Sequence, residues 1–407
     1  MRFSTFMNPG IQQLHDIASK ESRIILGLMS GTSLDGLDLC LCHIKGAGSK
    51  TQISIIQYET LSYSNAFINE IKAVFANRDA DLAMVSAMHA KIGIAHAELI
   101  LDTLKKWKIS SKQIDLIASH GQTIFHAPRS LFNTTEYPNS TLQIGDGDHI
   151  AKHTGIITLS DFRQKHVAAG GEGAPLVVYG DQLLFSAETE HRVLLNIGGI
   201  SNFTFLPAYQ HRDKYFVFAS DIGPGNTLMN QYMKVHFNKS YDHNGETALK
   251  GKPHRALLEQ LLQHPFFDLE FPKTTGPESF NLDFLREAQT ISKTIEISEE
   301  DTMATLAEFT IQGIIKSLLK LPLPMEQLSI YVSGGGWNNP VLSRGLRKAV
   351  QPAAIDSIDV IGVPGDAKEA MLFALLANET LAGETPLQFA EAAHIPAVYM
   401  GKISLPD

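Results

Sequence analysis

One device occurs twice in this chain: an apolar strand, a short turn of small residues, and a second apolar strand. Ile24-Ile25-Leu26-Gly27-Leu28-Met29 runs into Ser30-Gly31-Thr32-Ser33-Leu34-Asp35-Gly36 and out through Leu37 to Ile44. Val193-Leu194-Leu195-Asn196-Ile197 runs into Gly198-Gly199-Ile200-Ser201-Asn202 and out through Phe203 to Leu206. Apolar runs of this length, bounded by turn residues, are the pattern of well-buried strands. Two copies imply two related halves. Length agrees, because 407 residues at 44% hydrophobic exceed what one ordinary core holds. A cleft between two domains is then the expected place for a ligand.

Strand and helix patterns alternate through the rest of the chain. Leu82 to Trp107 carries apolar residues at three- and four-residue spacing, and Ala174 to Phe185 is a shorter apolar run near the midpoint. Both predict helices, the second a candidate crossing between domains. Ser329-Ile330-Tyr331-Val332-Ser333 predicts a strand entering a third flexible turn, Gly334-Gly335-Gly336. A strand is expected around Ile358 to Val363, then Pro364-Gly365 and a helix from about Ala367 to Leu381, closed by Gly383. The class is α/β.

Several kinds of function fall away on composition. A net charge of -9 gives no general pull toward nucleic acid or an anionic membrane. Cys40 and Cys42, two apart in a strand pattern, lie on one face, adjacent rather than bridged, so they cannot assemble a metal quartet, and the 16 His show no HExxH spacing. Met1 to Arg23 is polar and does not read as a secretory signal, and no apolar run is long enough for a bilayer. A soluble, cytoplasmic protein is expected.

The glycine-rich turns matter because a phosphate needs several backbone N–H donors at close range, and a Cβ would hold the backbone away. No GxxxxGK[ST] and no complete GxGxxG occurs, so neither a Walker loop nor a Rossmann fingerprint is present. Each turn alone reads as an ordinary hairpin; two matching turns with Gly334-Gly335-Gly336 favour a nucleotide. Asp221, between the apolar run Tyr215 to Ala219 and the turn Gly223-Pro224-Gly225, is expected at a strand end. A carboxylate there serves as general base, holds Mg²⁺ through water, or closes an Asx turn. Arg163, in Asp161-Phe162-Arg163 ahead of a loop from Ala168 to Pro175, is placed to clamp a carboxylate or phosphate, or to pair with Asp161 or Glu172. Ser119-His120-Gly121-Gln122-Thr123 projects polar groups from the end of a strand over Ile114 to Ala118, though a structural His fits as well. Glu369 stands three residues after Asp366, the spacing of a capping box at the last long helix, and such a carboxylate can also face a cleft.

Taken in order, LGLMSGTSLDGLD, ASHGQT, TLQIGDGDHIA, DFRQKHVAAGGEGAPLV, LLNIGGISN, DIGPGNTLMN, KTTGPESFN, YVSGGGWNNP and KEAMLFALLA resemble the motif series of the anhydro-N-acetylmuramic acid kinase family, from about residue 26 to about 377. The resemblance implies an α/β, two-domain actin/hexokinase-like fold of ribonuclease-H-like topology. Residues 24–188 with 367–407 would form one domain, 189–366 the other, and 1–23 an extension, with ATP and sugar in the interdomain cleft. It implies that Gly31, Thr32, Ser33, Leu34, Asp35, Gly36, Leu37 and Asp38 bind the phosphates of ATP, supported by Gly198, Gly199 and Asn202, and that Gly334, Gly335 and Gly336 border the adenosine. Mg²⁺ would accompany the nucleotide, with no dedicated protein metal site. Asp221 matches the family's catalytic base, taking a proton from the water that opens the 1,6-anhydro ring while O6 receives the γ-phosphoryl group. Ser30, His120, Gln122, Arg163 and Glu369 would line the sugar site, and a homodimer is implied. The chain departs from the pattern where the family commonly has an acidic residue at His166, Gln at Glu172, and a Pro-x-aromatic-His continuation at Val178-Tyr179-Gly180-Asp181. These departures bear on the acceptor, so a different sugar or small-carboxylate kinase of the superfamily is the first alternative. A nucleotide-switched binding module is the second.

Overall fold

The computed structural model describes residues 7–31, 34, 36–132, 136–362, 364–390, 393 and 395–407. In chain order the elements are helix α1 (Pro9–Ala18), strands β1 (Ser22–Ser30), β2 (Gly36–Lys45) and β3 (Gln52–Ser62), helices α2 (Asn65–Val74) and α3 (Leu82–Trp107), strands β4 (Leu116–Ala127) and β5 (Ser140–Ile144), helix α4 (Gly147–Thr154), strand β6 (Thr158–Ser160), and helices α5 (Phe162–Ala168) and α6 (Val177–Phe185). They continue as β7 (His191–Ile197), β8 (Ile200–Leu206), β9 (Phe218–Pro224), α7 (Thr227–Phe237), α8 (Arg255–Leu261), α9 (Leu282–Ser292), α10 (Glu299–Leu318), β10 (Leu328–Ser333), α11 (Pro340–Ala349), β11 (Ala354–Ser357), α12 (Lys368–Ala382) and β12 (Lys402–Ser404). The chain divides into two compact units, Met1–Leu184 with Asp366–Asp407, and Phe185–Gly365.

Each unit is built on its own sheet, and the two sheets share one strand plan. In the first, the order is β12-β6-β4-β1-β2-β3, with β5 on the far stretch of β4. Here β1, β2 and β3 form an antiparallel meander, while β4 and β6 run parallel to β1. In the second, the order is β11-β10-β7-β8-β9, again an antiparallel meander followed by two strands parallel to the first. This doubled strand plan is the ribonuclease-H-like arrangement of the actin/hexokinase class. The turn after β1 and the turn after β7 therefore occupy the same place in their sheets.

Burial explains the apolar runs. Strand β1 is covered on both faces. On one side Leu26 and Leu28 join a core with Ile92, Ile100 and Leu104 of α3. On the other, α12 lies so close that a Cβ on Gly27 would fall 1.9 Å from the Ala370 carbonyl oxygen, which is why this strand carries a glycine. The second unit has its own core, with Val193, Leu195 and Ile197 of β7 packed with Phe203, Met233, Phe309 and Ile314.

The chain ahead of β1 is tied into the first unit. Asn8 caps α1 by accepting from Gly10 N–H (2.8 Å), and Arg23, 2% exposed, donates to the Lys20 carbonyl (2.6 Å), to the Gly46 carbonyl (3.2 Å) and to Asn378 Oδ1 (2.7 Å).

Four local expectations change. Strand β4 does not stop at Ala118 but continues to Ala127, because β5 takes over as its partner from Gln122 onward. Asp221 lies inside β9 rather than at its end. The segment Ile358–Ile361 is a 3₁₀ turn, its start capped by Ser357 Oγ accepting from Asp359 N–H, and the last parallel strand is β11. Helix α12 has Ala367 as its N-cap with no side-chain cap bond, so Glu369 is not the partner in a capping box.

Candidate functional site

Arg163 leaves the end of β6 at the start of α5, and its guanidinium is held by two neutral acceptors. Nε donates to His120 Nε2 (2.8 Å) and Nη1 to the Gly173 carbonyl (2.6 Å). His120 Nδ1 must then carry the proton, and it donates to the Gly121 carbonyl (2.8 Å). Burial and the Arg163 charge hold that imidazole well below its usual range, so it is neutral. No carboxylate among the described residues lies within ion-pair distance of Arg163; Asp161 pairs with Lys402 instead. Burial lowers Arg163 to about 10 against an opposing pull from Glu369, which leaves it charged at neutral pH. Glu369, in the first turn of α12, is exposed, yet withdrawal from bulk water raises its carboxyl while Arg163 and Lys368 act in the other direction. Beside it, Lys368 pairs with the buried Asp181 (2.8 Å).

Ser30, at the end of β1, belongs to a buried chain of hydrogen bonds with a fixed direction. Gln122 Nε2 donates to the Gly31 carbonyl (3.0 Å) and the Thr123 carbonyl (3.2 Å), so its Oε1 faces Ser30 and accepts from Ser30 Oγ (2.6 Å). With the Ser30 proton directed to Gln122 Oε1 and the Gly36 carbonyl (3.2 Å), Tyr63 is the donor in its 2.9 Å contact with Ser30, and Tyr63 Oη accepts from His96 Nε2 (2.8 Å). His96 Nδ1 has no partner, and in this tautomer the unpaired atom is a lone pair, not an N–H. Neither Tyr63 nor His96 is expected from sequence, where one is a lone aromatic after a strand and the other an ordinary residue of a long helix.

The turn that follows carries several expected phosphate ligands. Thr32, Ser33 and Asp35 lie outside the described residues. Leu34 N–H donates to the Gly31 carbonyl (3.4 Å), and Leu34 adopts φ +59 with its side chain in the core of the unit. Leu37 is in the same core, so only the main chain of these two leucines is available to a phosphate. Gly36 is needed for contact, since its Cβ would fall 2.3 Å from the Leu61 carbonyl oxygen of β3. Asp38 accepts from Thr60 Oγ1 (2.6 Å) across the strand pair.

In the second unit three turns converge. Gly225 N–H donates to the Gly199 carbonyl and Asn226 N–H to the Gly198 carbonyl, both at 2.8 Å, locking the hairpin after β7 to the start of α7. A Cβ on Gly225 would meet the Gly198 carbonyl oxygen at 2.4 Å, and one on Gly336 would meet Ile197 Cγ2 at 2.2 Å. Gly334 adopts φ +89 against Asn196 and Ile197. Next to them is a cavity of about 440 Å³ lined by Asn226, Asn230, Tyr241, His243, Asn244, Gly335 and Asn338 among others. Polar amides and two rings around a nucleoside-sized space suit a base and ribose. Sequence reasoning found its glycine but not its amides, although Asn226 and Asn338 stand in motifs it singled out.

Asp221 sits directly across from Asn202 in the β8–β9 ladder, just past a shift of register at Ser201. Its Oδ2 accepts from Thr275 N–H (2.9 Å) and its own N–H donates to the Lys273 carbonyl (2.9 Å). Burial raises the carboxyl to about 6, with the Thr275 bond opposing and Glu278 adding to the rise. A carboxylate ionised at neutral pH, yet basic enough to accept a proton, is suited to general-base work. No group of three or more His, Cys, Asp or Glu among the described residues is arranged to hold a metal ion.

The family model described as Anhydro-N-acetylmuramic acid kinase matches residues 23–393. A protein of that name from Pseudoalteromonas atlantica (strain T6c / ATCC BAA-1087) is 50% identical over 404 residues, covering 98% of this chain and 100% of the relative. Another, from Caldanaerobacter subterraneus subsp. tengcongensis (strain DSM 15242 / JCM 11007 / NBRC 100824 / MB4), is 37% identical over 399 residues, covering 97% of this chain and 100% of the relative.

Proposed function

Because the chain belongs to the anhydro-N-acetylmuramic acid kinase family, we propose that Asp221 is the base that activates water for opening the 1,6-anhydro ring, and that Arg163 holds the acceptor sugar. The protein is a kinase that converts anhydro-N-acetylmuramic acid, ATP and water into N-acetylmuramic acid 6-phosphate and ADP. Water attacks C1, Asp221 takes one of its protons, the C1–O6 bond breaks, and O6 takes the γ-phosphoryl group as ADP leaves. The proton on Asp221 then passes to solvent. The observation that carries this reading is the Asp221 carboxylate raised to about 6 beside the interlocked glycine turns.

The roles of the remaining residues follow from what their atoms still offer. His120 and Gln122 have their polar atoms engaged by Arg163, Ser30 and backbone carbonyls, so they orient the site, and Arg163 and Glu369 face the acceptor. Main-chain groups of the 31–38 turn and of Gly198 and Gly199 receive phosphates, Asn202 supports the group opposite Asp221, and the cavity at Gly335 takes the adenosine. Magnesium would arrive on the phosphates of ATP, since a lone carboxylate such as Asp221 suits contact through water rather than a protein cage; when bound it would neutralise phosphate charge. The reading extends to cytoplasmic recycling of cell-wall sugars and to a homodimer, supported by family membership.

The test is turnover in ¹⁸O-labelled water with MgATP and 1,6-anhydro-N-acetylmuramic acid, with Asp221→Asn alongside. Label in the 6-phosphate product, corrected for exchange at the anomeric carbon, and its loss in the variant are expected. Phosphorylation of an ordinary sugar hydroxyl without uptake of label would instead indicate a plain sugar kinase.

A further inference from the structure

The Asp221 carboxylate is held by a loop, and the loop is held by a lysine. Strand β9 is the edge of its sheet, and residues 273–275 lie along that edge. Asp221 N–H donates to the Lys273 carbonyl (2.9 Å) and Lys273 N–H donates to Ser220 Oγ (3.0 Å), so both main-chain groups of Lys273 face the strand. Two residues on, Thr275 N–H donates to Asp221 Oδ2 (2.9 Å).

The loop has little else to fix its depth. From Pro272 to Ser279 the side chains are exposed or half-buried apart from that of Lys273, which is 6% exposed; Gly276 is buried and has none. Lys273 Nζ donates to the Phe266 carbonyl (2.8 Å) and stands 4.4 Å from the centroid of the Phe266 ring and 5.3 Å from that of Phe271. Asp268 pairs with Lys316 (3.2 Å), so the ammonium is held by a carbonyl and two ring faces. Burial, together with Lys320 and Lys316, lowers it to about 8 against Asp268 and Glu270, which leaves it charged at neutral pH. An apolar side chain would fill the same space without the cost of burying a charge. What the ammonium adds is a directed bond to the Phe266 carbonyl.

The lever on Asp221 is the main chain, not the lysine charge. Burial raises the Asp221 carboxyl, Thr275 N–H lowers it, and Glu278 raises it further. A hydrogen bond to the charged form of a carboxyl favours ionisation, and moving the donor away removes that support.

We propose that Lys273 is a positioning residue for the reaction, whose ammonium anchors the 273–275 segment on Phe266 and so keeps Thr275 N–H against the base. This inference rests on the assignment of Asp221 as the base.

The experiment is the pH profile of kcat/KM of the full chain for 1,6-anhydro-N-acetylmuramic acid with MgATP, from pH 5 to 8. In Lys273→Met the Phe266 carbonyl loses its donor and the loop can lift. The acid limb is then expected about one pH unit above the parent's, as loss of one hydrogen bond to a carboxylate predicts. The deficit against the parent should accordingly be about fivefold larger at pH 6 than at pH 8. Lys273→Arg, which keeps a charged donor, is expected to bring the limb back. A limb that stays in place while kcat/KM falls equally at every pH makes Lys273 a purely structural residue and overturns the proposal. Should Lys273→Met fail to fold, Thr275→Pro removes the N–H with the lysine intact, and an unmoved limb there overturns the proposal as well. A parent profile with no acid limb near pH 6 removes Asp221 from its role and this inference with it, whereas a parent limb that Lys273→Met leaves unmoved removes this inference alone.

Discussion

Asp221 carries a cost that a purely structural residue would avoid. Its carboxyl is raised from 3.8 to about 6 by burial, so the folded state holds a proton more tightly than the unfolded chain between those values. Stability therefore falls as pH rises through that window, and the full cost is present at pH 7. Asp221→Asn keeps an oxygen for Thr275 N–H and removes the charge, so it should stabilise the protein at pH 7 by about 1–3 kcal/mol in chemical denaturation, while turnover is lost. In the parent enzyme kcat/KM should fall as pH drops through about 6, where the base protonates; a flat profile from pH 5 to 8 would remove Asp221 from that role. Tyr63 makes a different kind of residue-scale claim. Tyr63→Phe strands Ser30 Oγ and His96 Nε2 together, at about 1–3 kcal/mol. Removing both donors in Tyr63→Phe with His96→Leu should recover part of that stability in denaturant titrations, yet leave KM for ATP raised, because Gln122 and the Gly31 carbonyl remain loosely held. Such buried pairings are what the sequence could not show: His96 stands in a helix 33 residues after Tyr63, and only the fold brings them to 2.8 Å.

At the scale of elements, the strands were legible because burial on two faces demands continuous apolar runs, and the turns because close backbone approach demands glycine. Less legible was anything set by a partner elsewhere in the chain. The polar run Ser119–Thr123 reads as a strand end, yet β5, 20 residues on, supplies a new partner and keeps β4 going. Asp221 likewise stays inside β9 because β8 pairs through it to Pro224. The apolar Ile358–Ile361 run looked like a strand until Ser357 capped it into a 3₁₀ turn. The glycine turns themselves separate into two kinds, which mutagenesis can distinguish. Gly334→Ala places a Cβ 2.5 Å from Asn196 Oδ1 at φ +89, so it should destabilise the second unit by roughly 1–3 kcal/mol or more. Gly335 has nothing within 4 Å of the added carbon and borders the cavity. Gly335→Ala should leave the melting temperature alone and raise KM for ATP only; unchanged nucleotide kinetics would place the adenosine elsewhere.

For the whole molecule, the order in which the chain visits its two units has a consequence for folding. The second unit is one continuous stretch, Phe185–Gly365, whereas the first is completed only by Asp366–Asp407. That last segment is not peripheral: α12 covers β1 at Gly27, and β12 pairs with β6. Met371, Phe373, Leu375 and Leu376 are all buried, and at roughly 1.5–3 kcal/mol each they contribute about 6–12 kcal/mol, comparable with the entire stability of an ordinary domain. A chain ending at Gly365 should therefore leave the first unit unfolded, with the second able to fold by itself. Limited proteolysis of that truncated protein is expected to yield a resistant core within residues 185–365, and the segment from Ser22 to Ala127 should be digested. Survival of both units would mean that the β1 sheet holds without its α12 cover, and loss of both would mean that the second unit draws its stability from the first. The expected result also fixes an order during synthesis, since the inserted unit is finished before the unit that encloses it in sequence. The glycine turns and Asp221 would then already be set in their sheet when α12 brings Glu369 to the first.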